Sequence, residues 1–230
     1  MGKNKFVLTA LCLVFLFSAA SAFSQDRSFI RNQIDEWGQC RTVAITRTNG
    51  NAAIYGANGW AAASIPRGLE NALARLNSDD EYIKDVVLTE SGRWLILHGS
   101  NGVTWDGIPD NDPMLAKLRE YNSQGEIITS VAFNDSGEWV VITNNFYASS
   151  NNAIQEWLTE GNRQYGLIWT VHISDEGMLA VFEDGYRTSG VVPSDLIDAL
   201  NRTNLEYYYV KFAGPAWFFG TLRGGFQYNM

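Results

Sequence analysis

The stretch VAFNDSGEWVVI, residues 131–142, has the pattern of a β-strand, a tight turn and a second β-strand. Two apolar runs flank a polar segment whose Gly137 suits a tight turn. The same pattern occurs earlier as VVLTESGRWLIL, 86–97, and later as VHISDEGMLAVF, 171–182. A pattern that returns at a nearly fixed period indicates a repeat architecture.

The repeat is marked by Val-x-(Ile/Leu/Phe), followed by a turn and a second apolar run. It occurs five times, at Val43–Ile45, Val86–Leu88, Val131–Phe133, Val171–Ile173 and Val210–Phe212. Each second run leads through another turn into a third, aromatic-containing segment. These segments are WAAAS (60–64), VTWDG (103–107), FYASS (146–150), YRTSG (186–190) and FQYNM (226–230). The sequence therefore predicts three strands in every unit.

A helix is predicted after the third strand of the units. Helix starts are predicted at Ile65-Pro66, Ile108-Pro109 and Val192-Pro193, because proline fits the first turn of a helix. The resulting β-β-β-α units cover residues 41–82, 83–127, 128–167, 168–207 and 208–230.

The fifth unit ends without a helix, but residues 26–37 near the start of the chain have a helical pattern. Phe29, Ile30, Ile34 and Trp37 fall on one stripe of such a helix. We expect this helix to complete the fifth unit and to close a five-bladed, propeller-like ring. The alternative is an open array, which would need polar capping repeats at both ends.

The stretch ITSVAFNDSGEWVVIT, 128–143, resembles the blade strands of β-propellers of the WD40 and TolB types. The order of three strands and one helix, repeated five times, also resembles the pentein-type α/β propeller. Enzymes of the pentein group use a cysteine nucleophile served by a histidine, and Cys40 would be the candidate here, although no family motif surrounds it. Both resemblances concern architecture, and function does not follow from fold alone.

The N-terminal residues have the features of a signal peptide. Lys3 and Lys5 precede the apolar run Phe6–Ser18, and small residues end at Ala22. We expect cleavage after Ala22, so that 1–22 is a signal peptide and 23–230 is a single repeat domain. The protein is then secreted or periplasmic, and bacterial.

Composition excludes several classes of partner and cofactor. The formal net charge is −8, and no cluster of basic residues is present, so nucleic acid is not expected as a partner. No segment after the signal peptide is long and apolar enough to span a membrane. Motifs for metals, phosphate-bearing cofactors and common hydrolases are missing, so we expect no metal and no cofactor.

Three groups of residues are candidates for a binding site. Polar residues end the second strand of each unit, where a ring would gather them at one rim: Tyr55, His98, Thr143, Glu183 and Arg223. The middle residue of the repeat motif is small in three units and becomes His172 and Lys211 in the last two, which predicts that these two are neighbours near the ring axis. Third strands carry Trp60, Trp105 and Tyr186, which combine apolar area with a polar edge.

These observations favour a binding module that recognises a protein, peptide or glycan on one face of the ring. The alternative is a hydrolase with a site at the centre or rim of the ring, assembled from His98, Glu183, His172 or Cys40. A structural role in a larger envelope assembly is a third hypothesis.

Overall fold

The computed structural model describes residues 27–48, 50–203, 207–221 and 225–230. The predicted signal peptide, its cleavage site and Arg223 lie outside the described residues. A first helix, α1, covers residues 27–37. The other helices are α2 (Arg67–Ser78), α3 (Pro113–Ser123), α4 (Asn152–Tyr165) and α5 (Ser194–Arg202).

The strands group into five units of three. They are β1 (Thr42–Ile45), β2 (Asn51–Tyr55) and β3 (Gly59–Ala63); β4 (Ile83–Leu88), β5 (Trp94–His98) and β6 (Gly102–Asp106); β7 (Ile128–Phe133), β8 (Trp139–Thr143) and β9 (Tyr147–Ser149); β10 (Ile168–Ile173), β11 (Gly177–Phe182) and β12 (Gly185–Gly190); β13 (Tyr207–Ala213), β14 (Ala216–Thr221) and β15 (Phe226–Asn229).

Each unit forms its own antiparallel sheet, with its three strands side by side in chain order. In the third unit Val131 pairs with Val141, and Phe133 pairs with Trp139. Gly137 has a φ of 85° in the turn between these strands, a conformation that favours glycine. The predicted β-rich repeat of three strands and a helix is confirmed.

Two predicted helix starts agree with the structure and one is wrong. Helices α2 and α5 begin directly after Pro66 and Pro193, whereas α3 begins at Pro113 and not near Pro109. The Asp112 side chain accepts a hydrogen bond of 2.8 Å from the Met114 N–H, so this aspartate caps the helix. A capping aspartate followed by proline at the first helical position defines this start better than Pro109 does.

Four helices pack between the sheet of their own unit and the next sheet. Leu69 and Leu73 of α2, for example, share an apolar cluster with Ile54 of β2 and Ile96 of β5. Equivalent clusters surround α3, α4 and α5. Burial of these apolar side chains provides most of the stabilisation between neighbouring units.

Helix α1 packs in the same way between the fifth sheet and the first. Its Ile30 and Ile34 are buried in a cluster with Val43 of β1 and Phe218 of β14. Phe29 was expected on this stripe, but it is 45% exposed. The buried stripe is centred on Ile30 and Ile34, whose spacing of four residues places them on one helix face, and Phe29 lies beside it.

The first strands of the five sheets contact one another in order. Strand β1 contacts β4, β4 contacts β7, β7 contacts β10, β10 contacts β13, and β13 contacts β1. Side chains from these strands therefore meet in a shared interior. The first strands begin and the second strands end at the same side of the assembly. We call this side the turn face.

Candidate ligand-binding site

A layer of polar side chains lies on the first strands, one residue before each repeat valine. Its members are Thr42, Asp85, Ser130, Thr170 and Tyr209. Asp85 is buried and accepts hydrogen bonds from Lys211 Nζ at 2.7 Å and from Thr42 Oγ1 at 2.8 Å. These contacts connect the fifth, second and first units.

Two further members of this layer, Ser130 and Thr170, are also bonded to neighbouring units. Ser130 Oγ accepts a hydrogen bond of 3.3 Å from the Val171 N–H, and the Thr170 hydroxyl donates to the Tyr208 carbonyl. Buried polar groups that are satisfied in this way hold a fold together and leave little capacity for a ligand.

His172 lies on β10 beside Lys211 on β13, since these two strands contact each other. Its Nε2 donates a 2.7 Å hydrogen bond to the Phe212 carbonyl. The imidazole borders only a narrow cleft between the strands, lined also by Asn134 and Ser174. Burial, and then the charge of Lys211, lower the pKa of His172 to about 3. The imidazole is therefore neutral and serves as a structural donor.

At the turn face, each first strand of units two to five has an irregularity in its pairing just before the polar layer. A β-bulge of this kind redirects the side chain of the extra residue. The residues at this position, with the equivalent residue of the first unit, are Arg41, Lys84, Thr129, Trp169 and Tyr208. We call them the mouth residues.

Three mouth residues line an open recess with a volume of about 250 Å³. Thr129, Trp169 and Tyr208 form its central side. The β8–β9 turn, residues 143–147, forms its outer side together with Asn162 of α4. The recess thus belongs to the third, fourth and fifth units.

Internal hydrogen bonds hold the outer side of the recess. The Thr143 hydroxyl donates to Glu126 Oε2 at 3.0 Å, and Asn145 Nδ2 donates to the same oxygen at 3.1 Å. Asn144 Oδ1 accepts a 3.2 Å bond from the Ile127 N–H. The turn is therefore anchored before any ligand binds, which reduces the entropic cost of binding.

Other polar groups of the recess remain available. The Asn162 amide, the Trp169 indole N–H and the Tyr208 hydroxyl have no hydrogen bond to another described residue. The Trp169 and Tyr208 rings lie 6.0 Å apart with an interplanar angle of 30°. Aromatic faces beside free donors and acceptors can stack on a ligand ring and bond its polar groups.

The predicted rim residues that the structure describes are not gathered around this recess. Of these four, only Thr143 lines it, while Tyr55 stacks on Trp37 of α1 at 4.0 Å. His98 Nε2 lies 3.1 Å from Thr104 Oγ1 in its own sheet, and Glu183 is exposed to solvent. Burial lowers the pKa of His98. These three side chains therefore lie apart from one another and outside the recess.

The aromatic residues of the third strands lie near the helices. Trp60 packs in the cluster around α2. Trp105 lies under the Arg119 guanidinium, 5.8 Å from the ring centre, and lines a second pocket against α3. The Tyr186 hydroxyl donates to Asn201 Oδ1 at 2.7 Å.

Cys40 does not have the environment of a nucleophile. It is 3% exposed in the cluster around α1, and burial raises the pKa of its thiol to about 12. Its Sγ lies 3.6 Å from the Thr42 carbonyl. The cysteine chemistry that the pentein resemblance implies is therefore not supported, because a neutral thiol is a poor nucleophile.

Sequence reasoning missed the residues that form the recess, including Asn162, Trp169 and Tyr208. The polar residue before each repeat valine is readable from the sequence, since all five units have one there. The bulge that turns the preceding residue toward the mouth leaves no such signal, because the five mouth residues share no chemical property.

Comparison with known proteins identifies no family. No protein-family model and no curated protein matches this sequence. The structure is similar to the extracellular domain of BT4673 from B. thetaiotaomicron, described as a candidate one-component system, with a TM-score of 0.35 and 15% sequence identity over 84% of this chain. This chain spans 35% of that chain's length. A similarity at this level carries no inference about function.

The described residues also bear on membranes and metals. Within them, no helix is long and apolar enough to cross a membrane. Nor do they contain a group of three or more His, Cys, Asp or Glu side chains that could hold a metal ion.

Proposed function

We propose that this protein is an exported binding module, a closed ring of five units that holds part of a glycan or peptide in the recess of its turn face. The observation that carries this proposal is the recess itself. Trp169, Tyr208 and Asn162 present aromatic faces there and polar groups that bond to no other described residue, and the β8–β9 turn opposite them is already anchored.

Closure of the ring is supported by contacts at both ends of the chain. Strand β13 contacts β1. Helix α1 packs between the fifth and first sheets, just as α2 to α5 pack between the other neighbouring sheets. Without closure, the buried faces of the first and fifth units would be exposed to water.

Binding is favoured over catalysis because the candidate catalytic groups are occupied or separated. His172 is neutral and bonded to a backbone carbonyl, and Cys40 is a buried neutral thiol. His98 and Glu183 belong to different units, at the ends of β5 and β11. None of these four side chains lines the recess.

Export is supported by the apolar run and small residues that precede Phe23. We expect the mature protein to begin at Phe23, secreted or periplasmic, and intact-mass measurement of exported protein tests this. A protein that retained residues 1–22 would contradict it.

Calorimetric titration with a panel of oligosaccharides and short peptides tests the function. For any compound that binds, Trp169→Ala should weaken Kd by about tenfold or more, since stacking on one aromatic ring contributes on the order of 1–3 kcal/mol. The matched control is Trp105→Ala, which removes a tryptophan outside the recess and should leave Kd unchanged. Turnover of a bound compound, or equal binding by Trp169→Ala, would contradict the proposal.

A further inference from the structure

Two of the five mouth residues are cations. The Arg41 guanidinium lies 4.2 Å from the centre of the Tyr82 ring. Its Nη2 donates to the Ala57 carbonyl at 3.2 Å and to the Ile83 carbonyl. Its Nε and Nη1 are buried and have no hydrogen-bond partner. Among the described residues, Arg41 therefore has only neutral acceptors, and two of its three guanidinium nitrogens have no acceptor.

Lys84, the second cation, lies at the mouth position of β4, the strand that contacts β7. Its ammonium donates to the Ile128 carbonyl at 3.2 Å and to the Ser100 carbonyl. Ile128 directly precedes Thr129, which lines the recess. Partial burial lowers the pKa of the Lys84 ammonium.

The protein does not balance these two charges. Asp85, the carboxylate of the adjacent polar layer, already pairs with Lys211 at 2.7 Å. Within the described part of the chain, neither Arg41 nor Lys84 forms an ion pair with a carboxylate. A partly buried cation without a counter-ion is costly, and this protein carries a net charge of −8, so a positive mouth is a local feature.

We propose that the mouth binds a carboxylate group of the ligand, with Lys84 as the direct contact, Arg41 supplying further positive charge, and the body of the ligand in the recess. This inference rests on the proposed function and adds the chemical class of the ligand. The carboxylate belongs either to a sugar acid or to the C-terminus of a peptide, because both place a carboxylate beside a body that can stack on an aromatic ring.

The neighbouring groups fit a carboxylate. An ammonium donates charge-assisted hydrogen bonds to carboxylate oxygens, and these are stronger than bonds to neutral carbonyls. Trp169 and Tyr208, at two other mouth positions, offer ring faces to a sugar ring or an apolar side chain. A carboxylate would replace neutral carbonyl partners of Lys84 with an acceptor of opposite charge.

Calorimetric titration of the full mature protein with four probes tests the inference. The probes are trigalacturonate, its methyl ester, the tripeptide Gly-Tyr-Phe and its C-terminal amide. In at least one pair the acid should bind about tenfold or more tightly than its neutral form, as expected for a hydrogen bond between charged groups. The pair that shows this difference identifies the source of the carboxylate.

Variants of Lys84 test whether this residue causes the preference for the acid form. Lys84→Gln should remove the difference between acid and neutral form, and Lys84→Arg should restore most of it. Lys117→Gln, which removes an exposed lysine of α3, should have no effect and serves as the control. Circular dichroism spectra establish that each variant is folded.

The possible failures are distinguishable. If acid and neutral forms bind equally and Trp169→Ala weakens both, the proposed function is supported and the carboxylate inference is wrong. If none of the four probes binds at millimolar concentration, the carboxylate inference is also overturned, while the broader panel still decides the proposed function. Retention of the acid preference in Lys84→Gln would contradict the role of this residue.

Discussion

Adjacent positions on the same first strands form two layers that differ in how their polar groups are bonded. In the buried layer, Asp85 is bonded to Lys211 and Thr42, which belong to two other units. One residue toward the turn face, Trp169 and Tyr208 have polar groups that bond to no other described residue and lie beside an open recess. Bonded polar groups position the strands, and the free groups one residue away are those that can bind a ligand.

The comparison predicts the largest loss of stability in the buried layer. Asp85→Ala leaves Lys211 and Thr42 without their partner in a buried place, so we expect about 3–5 kcal/mol less free energy of unfolding. Urea denaturation measures this change. Glu160→Ala, which breaks the exposed ion pair with Arg163, is the control and should leave the midpoint unchanged.

A double variant distinguishes the effect of an unpaired buried charge from the effect of lost packing in the same layer. The double variant Asp85→Leu/Lys211→Met should be more stable than Asp85→Ala, because apolar replacement of a buried pair is often neutral. If Asp85→Ala were as stable as the natural protein, the buried layer would not hold the units together.

Ring closure predicts a somewhat smaller effect at α1. Ile34→Ala should cost on the order of 2–4 kcal/mol, because it leaves a cavity between the fifth and first sheets. Hydrogen exchange should accelerate in β13–β15, far along the chain from the substitution. Phe29→Ala, at an exposed position of the same helix, is the control. Unchanged protection in β13–β15 would favour an open array over a ring.

The smallest expected effect on stability is that of His172, and this effect depends on pH. Its pKa is about 3 in the folded protein and about 6.5 in an unfolded chain, so the unfolded chain binds more protons between these values. The stabilisation by neutral His172 is complete above about pH 6.5 and is lost as the pH falls toward 3.

The His172→Gln variant retains an N–H donor for the Phe212 carbonyl but does not titrate. The difference in melting temperature between natural protein and variant should therefore shrink or reverse in favour of the variant as the pH falls from 7 to 4. Carboxylates titrate in both proteins, so their contribution to the pH dependence of stability cancels when the two melting temperatures are subtracted. A difference independent of pH would show that the imidazole is not held neutral.

Much of the fold could be predicted because each unit has the same apolar motif at a nearly fixed spacing and residues that favour a turn after it. Val131–Phe133 and its equivalents predict the first strands, and Gly137 predicts the turn that follows. The buried stripe of α1 was predicted through Ile30 and Ile34, but an apolar residue on the edge of such a stripe, such as Phe29, can remain exposed. The start of α3 depended on the Asp112 cap, which competes with Pro109.

The binding site was less predictable because it depends on local departures from the repeat. The equivalent positions at the ends of the second strands predicted a shared rim. Among those that the structure describes, only Thr143 lines the recess. There the short β8–β9 turn folds back, as the Thr143 N–H donates to the Phe146 carbonyl at 2.7 Å. The pairing irregularities at Trp169 and Tyr208 place these side chains at the mouth, and no residue type shared with the other units marks these positions in the sequence.

The central claim is that the mouth recess is the binding site and the buried layer is structural. Two-dimensional ¹H–¹⁵N NMR during titration with a compound that binds tests it most directly. We expect shifts for the Trp169 indole and the Asn162 side-chain amide, with little change at the backbone amides of Thr42 and Val86. Shifts concentrated at Trp105 or in the buried layer, with the Trp169 indole unmoved, would contradict the account.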